Sequence, residues 1–193
     1  AEARKFFRPQ LPDLHSPFLM KDMDIAVERL NLAMGRKERI LIYGDYDVDG
    51  TTAVALVYKF IQQFYSNIDY YIPDRYNEGY GVSTKGVNYA AETGVKLVIV
   101  LDCGIKAVDE IAYAKEKGID FIICDHHVPD DVLPDAVAIL NAKREDNTYP
   151  YEHLSGCGVG FKFMQAFAIS NGIEFHHLIP LLDLVAVSSA SDI

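Results

Sequence analysis

Short runs of Val, Ile and Leu recur along this chain, and between most of them lies a segment of helical length. Residues 39–43 (RILIY), 69–73 (DYYIP), 96–101 (KLVIVL), 120–124 (DFIIC) and 136–140 (AVAIL) have strand composition. Residues 51–65, 83–93 and 107–117 have helical spacing, with Ser83 a plausible N-cap and Gly118 a stop. Near-continuous apolar strands between helices predict a mostly parallel sheet covered on both faces. The ends of the chain differ. After Pro9, Pro12 and Pro17, residues 21–34 read as a helix, and 158–171 and 175–190 read as helices with no strand between them. The expected fold is α/β: a parallel sheet flanked by helices, with a helical C-terminal part. Residues 1–35 form an arm and helix packed on the core, and residues 36–193 form the main domain. The irregular stretch 142–156 separates the α/β core from the helical tail.

The residues at the ends of the apolar runs matter more for function. Asp45, Asp47 and Asp49 come after the first, Asp74 and Arg75 after the second, Asp102 after the third, and Asp125, His126 and His127 after the fourth. In open parallel sheets ligands bind beyond the carboxyl ends of the strands. Neighbouring strands lie about 4.8 Å apart, so acids from several ends can converge on ions that sit roughly 3.5–4 Å apart in two-metal sites. Crowded carboxylates in a dry cleft would otherwise take up protons, and dications keep them ionised. Carboxylate with imidazole suits Mn²⁺, Fe²⁺ or Zn²⁺, and an all-oxygen subset suits Mg²⁺. The bland alternatives are a solvated loop for the alternating Asp residues and ordinary turn chemistry for Asp74. His176 and His177 have no acidic cluster beside them and read as structural; His15 and His153 are lone.

Composition narrows the setting. The formal net charge is −10, unlike a duplex-DNA clamp, although metal-holding carboxylates also make a chain acidic. Cys103, Cys124 and Cys157 lack metal-finger spacing, and Cys103 and Cys124, in or beside apolar runs, read as buried free thiols, which fits a reducing cytoplasm. No membrane span or secretory leader is evident. The chain lacks an initiator Met and is expected to be a processed or cut piece of a longer protein.

Together, "DYDVDG", "VIVLDCG", "CDHHVPDD" and the terminal "SSASD" resemble the four successive motifs of the DHH phosphoesterase family. "YIPDRYNEGYGVS" and "LNAKREDNTYPYEHLSGCGVGFKFMQAF" are similar to its RecJ-type exonuclease branch. The resemblance implies a metal-dependent phosphodiesterase that digests single-stranded DNA from the 5′ end, using two Mn²⁺ or Mg²⁺ ions, in repair or recombination. It implies Asp47, Asp49, Asp102, His126 and Asp192 as metal ligands, with Asp102 bridging. It also implies His127 at the scissile phosphate and Asp125 as its orienter. Relatives often begin the first motif with His where this chain has Tyr43. A neutral phenol is a poor ligand, so Asp45 is the nearest candidate to compensate, at a weaker first site. The resemblance further implies C-terminal domains that close over the cleft and hold the strand.

For substrate contacts, Gly156, Gly158 and Gly160 open a helix and could cradle a phosphate, with Lys162 adding a charge. The alternative is a tightly packed glycine turn. Arg75 could grip a phosphate, or pair with Glu78 or Asp74. Tyr76, Tyr80 and Tyr89 could stack on bases, though most tyrosines pack in the domain. Two other functions compete. One keeps the fold but cleaves oligoribonucleotides or cyclic dinucleotides. The other is a non-catalytic receiver-like domain using Asp47, Asp49, Asp102 and Lys143; Asp125, His126 and His127 oppose it.

Overall fold

The computed structural model describes residues 7–8 and 10–192. Five strands, β1 (Arg39–Gly44), β2 (Ile68–Tyr71), β3 (Val95–Leu101), β4 (Asp120–Cys124) and β5 (Ala138–Leu140), form one sheet in the order β2-β1-β3-β4-β5. Every pairing is parallel. Beyond Arg39, Lys96 and Asp120 near their starts, the interior strands β1, β3 and β4 are apolar and buried because both faces are covered. Alternate residues supply two cores. Ile40, Ile42, Leu97, Ile99, Leu101 and Ile122 meet α1 (Met23–Gly35), α2 (Val48–Gln62) and α5 (Gly156–Ser170). Leu41, Tyr43, Val98, Val100 and Ile123 meet α3 (Thr84–Glu92) and α4 (Val108–Glu116). A last helix, α6 (Leu182–Ser191), packs on α2 and α5.

The expected α/β architecture is present, and its departures have local causes. Helix α2 starts at Val48 rather than residue 51, because the Asp47 side chain accepts from the Gly50 N–H and caps it. Asp49 therefore lies in a first helical turn, not on a loop. Ser83 caps α3 as anticipated, and Gly118 ends the turn after α4 at φ 68°, where an L side chain would be strained. The single helix expected over 175–190 is instead two 3₁₀ turns, Phe175–His177 and Ile179–Leu181, followed by α6. Pro180 lacks an N–H and breaks the continuous ladder. Residues 1–6 and 9, part of the expected arm, lie outside the described residues. Within the arm, α1 buries Met23, Ala26, Val27, Leu30 and Ala33 in the same core as α2 and α5.

Candidate metal centre

The strand order reverses direction between β1 and β3, which is where open α/β sheets bind ligands. Asp45, Asp47 and Asp49 follow β1, Asp102 follows β3, and Asp125, His126 and His127 follow β4. The end of α6 brings in Asp192. His126 links these pieces: its Nε2 lies 3.1 Å from Asp102 Oδ1 and 3.6 Å from Asp49 Oδ2, and its Nδ1 lies 3.3 Å from Asp192 Oδ2. Three groups of ligand atoms each fall within 4.8 Å of one another. They are Asp45 with Asp47 and Asp102; Asp49 with His126 and Asp192; and Asp102 with His126 and His127. Asp102 belongs to two of the three.

One side of the cluster is built by the start of α5. Asp49 accepts from the N–H groups of Gly156 (2.6 Å) and Cys157 (2.8 Å) and from the Ser188 hydroxyl (2.7 Å). A helix N-terminus offers free N–H groups and favours negative charge, so the carboxylate is well held. Ser188 also meets the Ser155 hydroxyl, and Ser155 caps α5. At Gly156 a Cβ would lie 2.5 Å from the Asp102 Cβ, so only glycine lets the helix come this close.

The other side is short of partners. Asp45 is 1% exposed, and its Oδ1 has no hydrogen-bond partner among the described residues. Burial, then the charge of Asp47, pushes its carboxyl above the usual range. Asp102 is 2% exposed and adopts φ 62°, a left-handed conformation that Asp tolerates better than most residues. Its carboxyl is pushed up to about 10, by burial first and by the charges of Asp49, Asp47 and Asp125 next. A dication among these oxygens would remove both costs. The buried, unpartnered Asp45 oxygen and this all-oxygen group fit a hard divalent ion; the His126 group fits Mn²⁺ equally well.

Asp125 and His127 form a separate pair. Asp125 Oδ2 accepts from the Ile105 N–H (2.9 Å), and Oδ1 from the His126 N–H (2.7 Å) and the His127 ring Nδ1 (2.7 Å). Burial alone would raise the Asp125 carboxyl, but the His127 hydrogen bond and charge hold it below its ordinary value. The same bond raises His127. With a proton fixed on Nδ1, Nε2 is turned to the outer face, where Tyr80 Oη lies 3.2 Å away.

Tyr43, in the place of the family histidine, faces elsewhere. Its hydroxyl donates to the Gly81 carbonyl (2.9 Å) and accepts from the Ser83 N–H (3.2 Å), and its ring stacks on Tyr71. Burial raises the phenol far above its normal value, so it stays neutral.

The expected substrate contacts need correction. The N–H groups of Gly156 and Cys157 are spent on Asp49 and that of Gly158 on Ser155, so no anion cradle is open there. The glycines serve close packing. Lys162 is 3% exposed; its Nζ donates to the His15 carbonyl and Gln165 Oε1, both at 2.9 Å, and burial lowers it to about 8. It ties the arm to α5 and reaches no phosphate. Arg75 is exposed, with its guanidinium 5.2 Å from the Tyr46 ring centroid, beside the first acidic loop. Glu78, its alternative partner, is taken by Ser83, Tyr71 and Lys85. Tyr76 is exposed and Tyr89 packs on Tyr71. His176 and His177 bond Glu174 and Gln63, away from the cluster. Sequence reasoning missed Ser155, Ser188 and the position of Tyr80. A serine facing inward from the Leu, Val and Ala of α6 was the available signal.

Comparison with known proteins points the same way. The model of the DHH family, N-terminal domain, matches residues 39–188. The single-stranded-DNA-specific exonuclease RecJ of Bacillus subtilis (strain 168) is 41% identical over 191 residues, 99% of this chain and 24% of that protein. The protein of that name from Escherichia coli (strain K12) is 36% identical over 184 residues, 90% of this chain and 32% of that protein. The chain thus spans about a quarter to a third of these relatives. A crystal structure of exonuclease RecJ bound to manganese superposes with a TM-score of 0.80 at 29% identity, covering 90% of this chain and 44% of the other. RecJ of Thermus thermophilus in complex with Mn²⁺ gives 0.75 at 26% identity, covering 90% and 24%.

Proposed function

The chain belongs to the DHH family, and on that premise we propose that it carries the hydrolytic centre of a RecJ-type, single-stranded-DNA-specific exonuclease. The substrate is a single strand digested from its 5′ end, in cytoplasmic DNA repair or recombination. The sharing of Asp102 between two candidate ligand groups carries this reading. In this reading residues 36–193 form the DHH domain and residues 1–35 a preceding arm, whose helix α1 packs on it, with other domains of the same enzyme as partners.

In this reading Asp45, Asp47 and Asp102 would hold one Mn²⁺ or Mg²⁺ ion, and Asp49, His126 and Asp192 the second, with Asp102, whose Oδ1 lies 3.1 Å from His126 Nε2, reaching both. Ions bound there would supply a water acidic enough to attack near neutral pH and would neutralise charge on the phosphate. Asp125 accepts from the Nδ1–H of His127 and favours the doubly protonated ring, from which Nε2–H could donate to a phosphoryl oxygen. Arg75 is the remaining candidate for gripping a phosphate along the strand. Lys143, which a receiver-like site would need near Asp102, lines a cleft with Val128, Asp131 and Leu133 instead.

Anomalous scattering at the manganese edge from soaked crystals tests the assignment. Two ions beside Asp102 are expected; a lone ion, or ions elsewhere, would overturn two-metal hydrolysis. With Tyr43 occupied elsewhere and Asp45 its substitute, the two sites should differ in affinity by calorimetry. The isolated chain, at net charge −10, should bind a single-stranded oligonucleotide more weakly than micromolar in fluorescence anisotropy.

A further inference from the structure

A cleft of about 260 Å³ opens beside His127, on the face of the sheet opposite α5. Its walls come from two connections, Tyr80, Gly81 and Val82 before α3 and Gly104 to Ala107 before α4. We propose that this cleft is a nucleoside subsite: it takes the sugar and base attached to the phosphate held at the acidic cluster. The inference rests on the phosphodiesterase reading above and names where the rest of the nucleotide goes.

Position argues for this occupant. Asp125 and His127 line the cleft and also belong to the centre, so the cleft opens directly beside the place proposed for the phosphate. The lining is that of a small-ligand site, mostly apolar with a few polar groups. Ala107 is half-buried at the surface, with the buried Val82 and Ile105 behind it, while Lys106 and Glu110 add one charge of each sign. Lys106 is already paired with Asp130 at 2.9 Å, so the cleft carries little net attraction for a second phosphate. That favours a neutral ring over an anion.

Tyr80 is the residue suited to hold such a ring. It is 56% exposed, so one side of its phenol is available for stacking. Its orientation is set from behind: the hydroxyl lies 3.2 Å from His127 Nε2 and 3.3 Å from the Asp102 carbonyl, and its ring stands edge-on to His127 at 81°. An aromatic wall fixed against the group that meets the phosphate would couple base placement to phosphate placement. Because every base has a stacking face, this contact carries no sequence preference, as an exonuclease requires.

The test uses this chain with saturating Mg²⁺ and two probes, deoxyadenosine monophosphate and deoxyribose phosphate, followed by methyl NMR. The nucleotide should bind about tenfold more tightly, the scale of one base–aromatic contact. Methyl signals of Val82, Ile105 and Ala107 should move with the nucleotide and not with the sugar phosphate. Ala107→Phe, which fills the cleft, should abolish the difference. Tyr80→Leu should reduce it, and decides the matter if the first variant does not fold. Equal affinities for the two probes, or methyl shifts elsewhere, would overturn the subsite and leave the hydrolase reading standing. If neither probe binds in the presence of metal, both fall.

Discussion

The acidic cluster has two sides of opposite character. Around Asp49 the protein has already answered the charge, with two N–H groups at the start of α5 and the Ser188 hydroxyl. Around Asp45 and Asp102 it has not: one buried oxygen has no partner, and the Asp102 carboxyl is driven up to about 10. The first side is a finished piece of architecture that orients a ligand whether or not an ion is present. The second side is unfavourable until a cation arrives, and the repulsion stored there becomes a source of metal affinity. Asp49, a candidate ligand itself, is therefore fixed by the fold in advance, while the unanswered charge that draws a cation sits on Asp45 and Asp102.

Substituting on each side should separate the two roles. Asp102→Asn keeps the left-handed backbone and removes the charge shared by two ligand groups. In a catalytically active preparation it should lower metal-dependent nucleotide release on the order of 1,000-fold, about 4 kcal/mol of barrier. The same substitution should leave the metal-free melting temperature unchanged or higher, since a neutral amide avoids the cost of keeping this buried carboxyl protonated near neutral pH. Near-normal turnover would end the two-metal assignment. Asp49→Ala should do the reverse to the fold. It strands three buried donors and should cost about 3 kcal/mol in urea unfolding even without metal. If it proved neutral, the distinction between the two sides would be lost.

A smaller effect should appear on changing pH. A carboxyl whose folded pKa lies above its unfolded value takes up protons on folding, so stability falls as pH rises between the two. For Asp102 that window runs from 3.8 to about 10. Asp45 is shifted in the same direction, and His127, also raised, loses its contribution as pH climbs past its folded value. Asp125 is lowered and opposes them only at acid pH. The metal-free chain should melt at lower temperature at pH 9 than at pH 6, and saturating Mg²⁺ should flatten the trend by holding the carboxylates ionised. A metal-free melting temperature that rises over this interval would mean that Asp102 is not protonated in the folded chain.

How much of this could be read from the sequence depends on distance along the chain. The strands were legible because burial on both faces demands unbroken Val, Ile and Leu, and the acids were legible because they come directly after those runs. The parallel arrangement then placed Asp45, Asp102 and His126 on one edge without further information. What sequence could not show were contacts made across the fold. Asp49 reaches Gly156 over 107 residues and so consumes the N–H groups read as an anion cradle. Lys162 reaches the His15 carbonyl over 147 residues and is buried by an arm with no periodic signal of its own. Tyr80 was one tyrosine among twelve until the β1–β3 edge brought it to His127.

Tyr43 lies at the border between the two sides and gives the mildest test. It stands at the end of β1, two residues before Asp45, where the family resemblance leads to the expectation of a histidine. Its hydroxyl instead spans the Gly81 carbonyl and the Ser83 N–H, pinning the segment that leads from Tyr80 into α3. Tyr43→Phe keeps the ring stack on Tyr71 and leaves those two groups unpaired. It should cost about 1 kcal/mol or slightly more, the range for one buried hydrogen-bonding group, and leave the calorimetric affinities for Mn²⁺ untouched. A drop in the tighter affinity would make the phenol a ligand after all, and Asp45 would then no longer be needed to explain how the partner-poor side holds an ion.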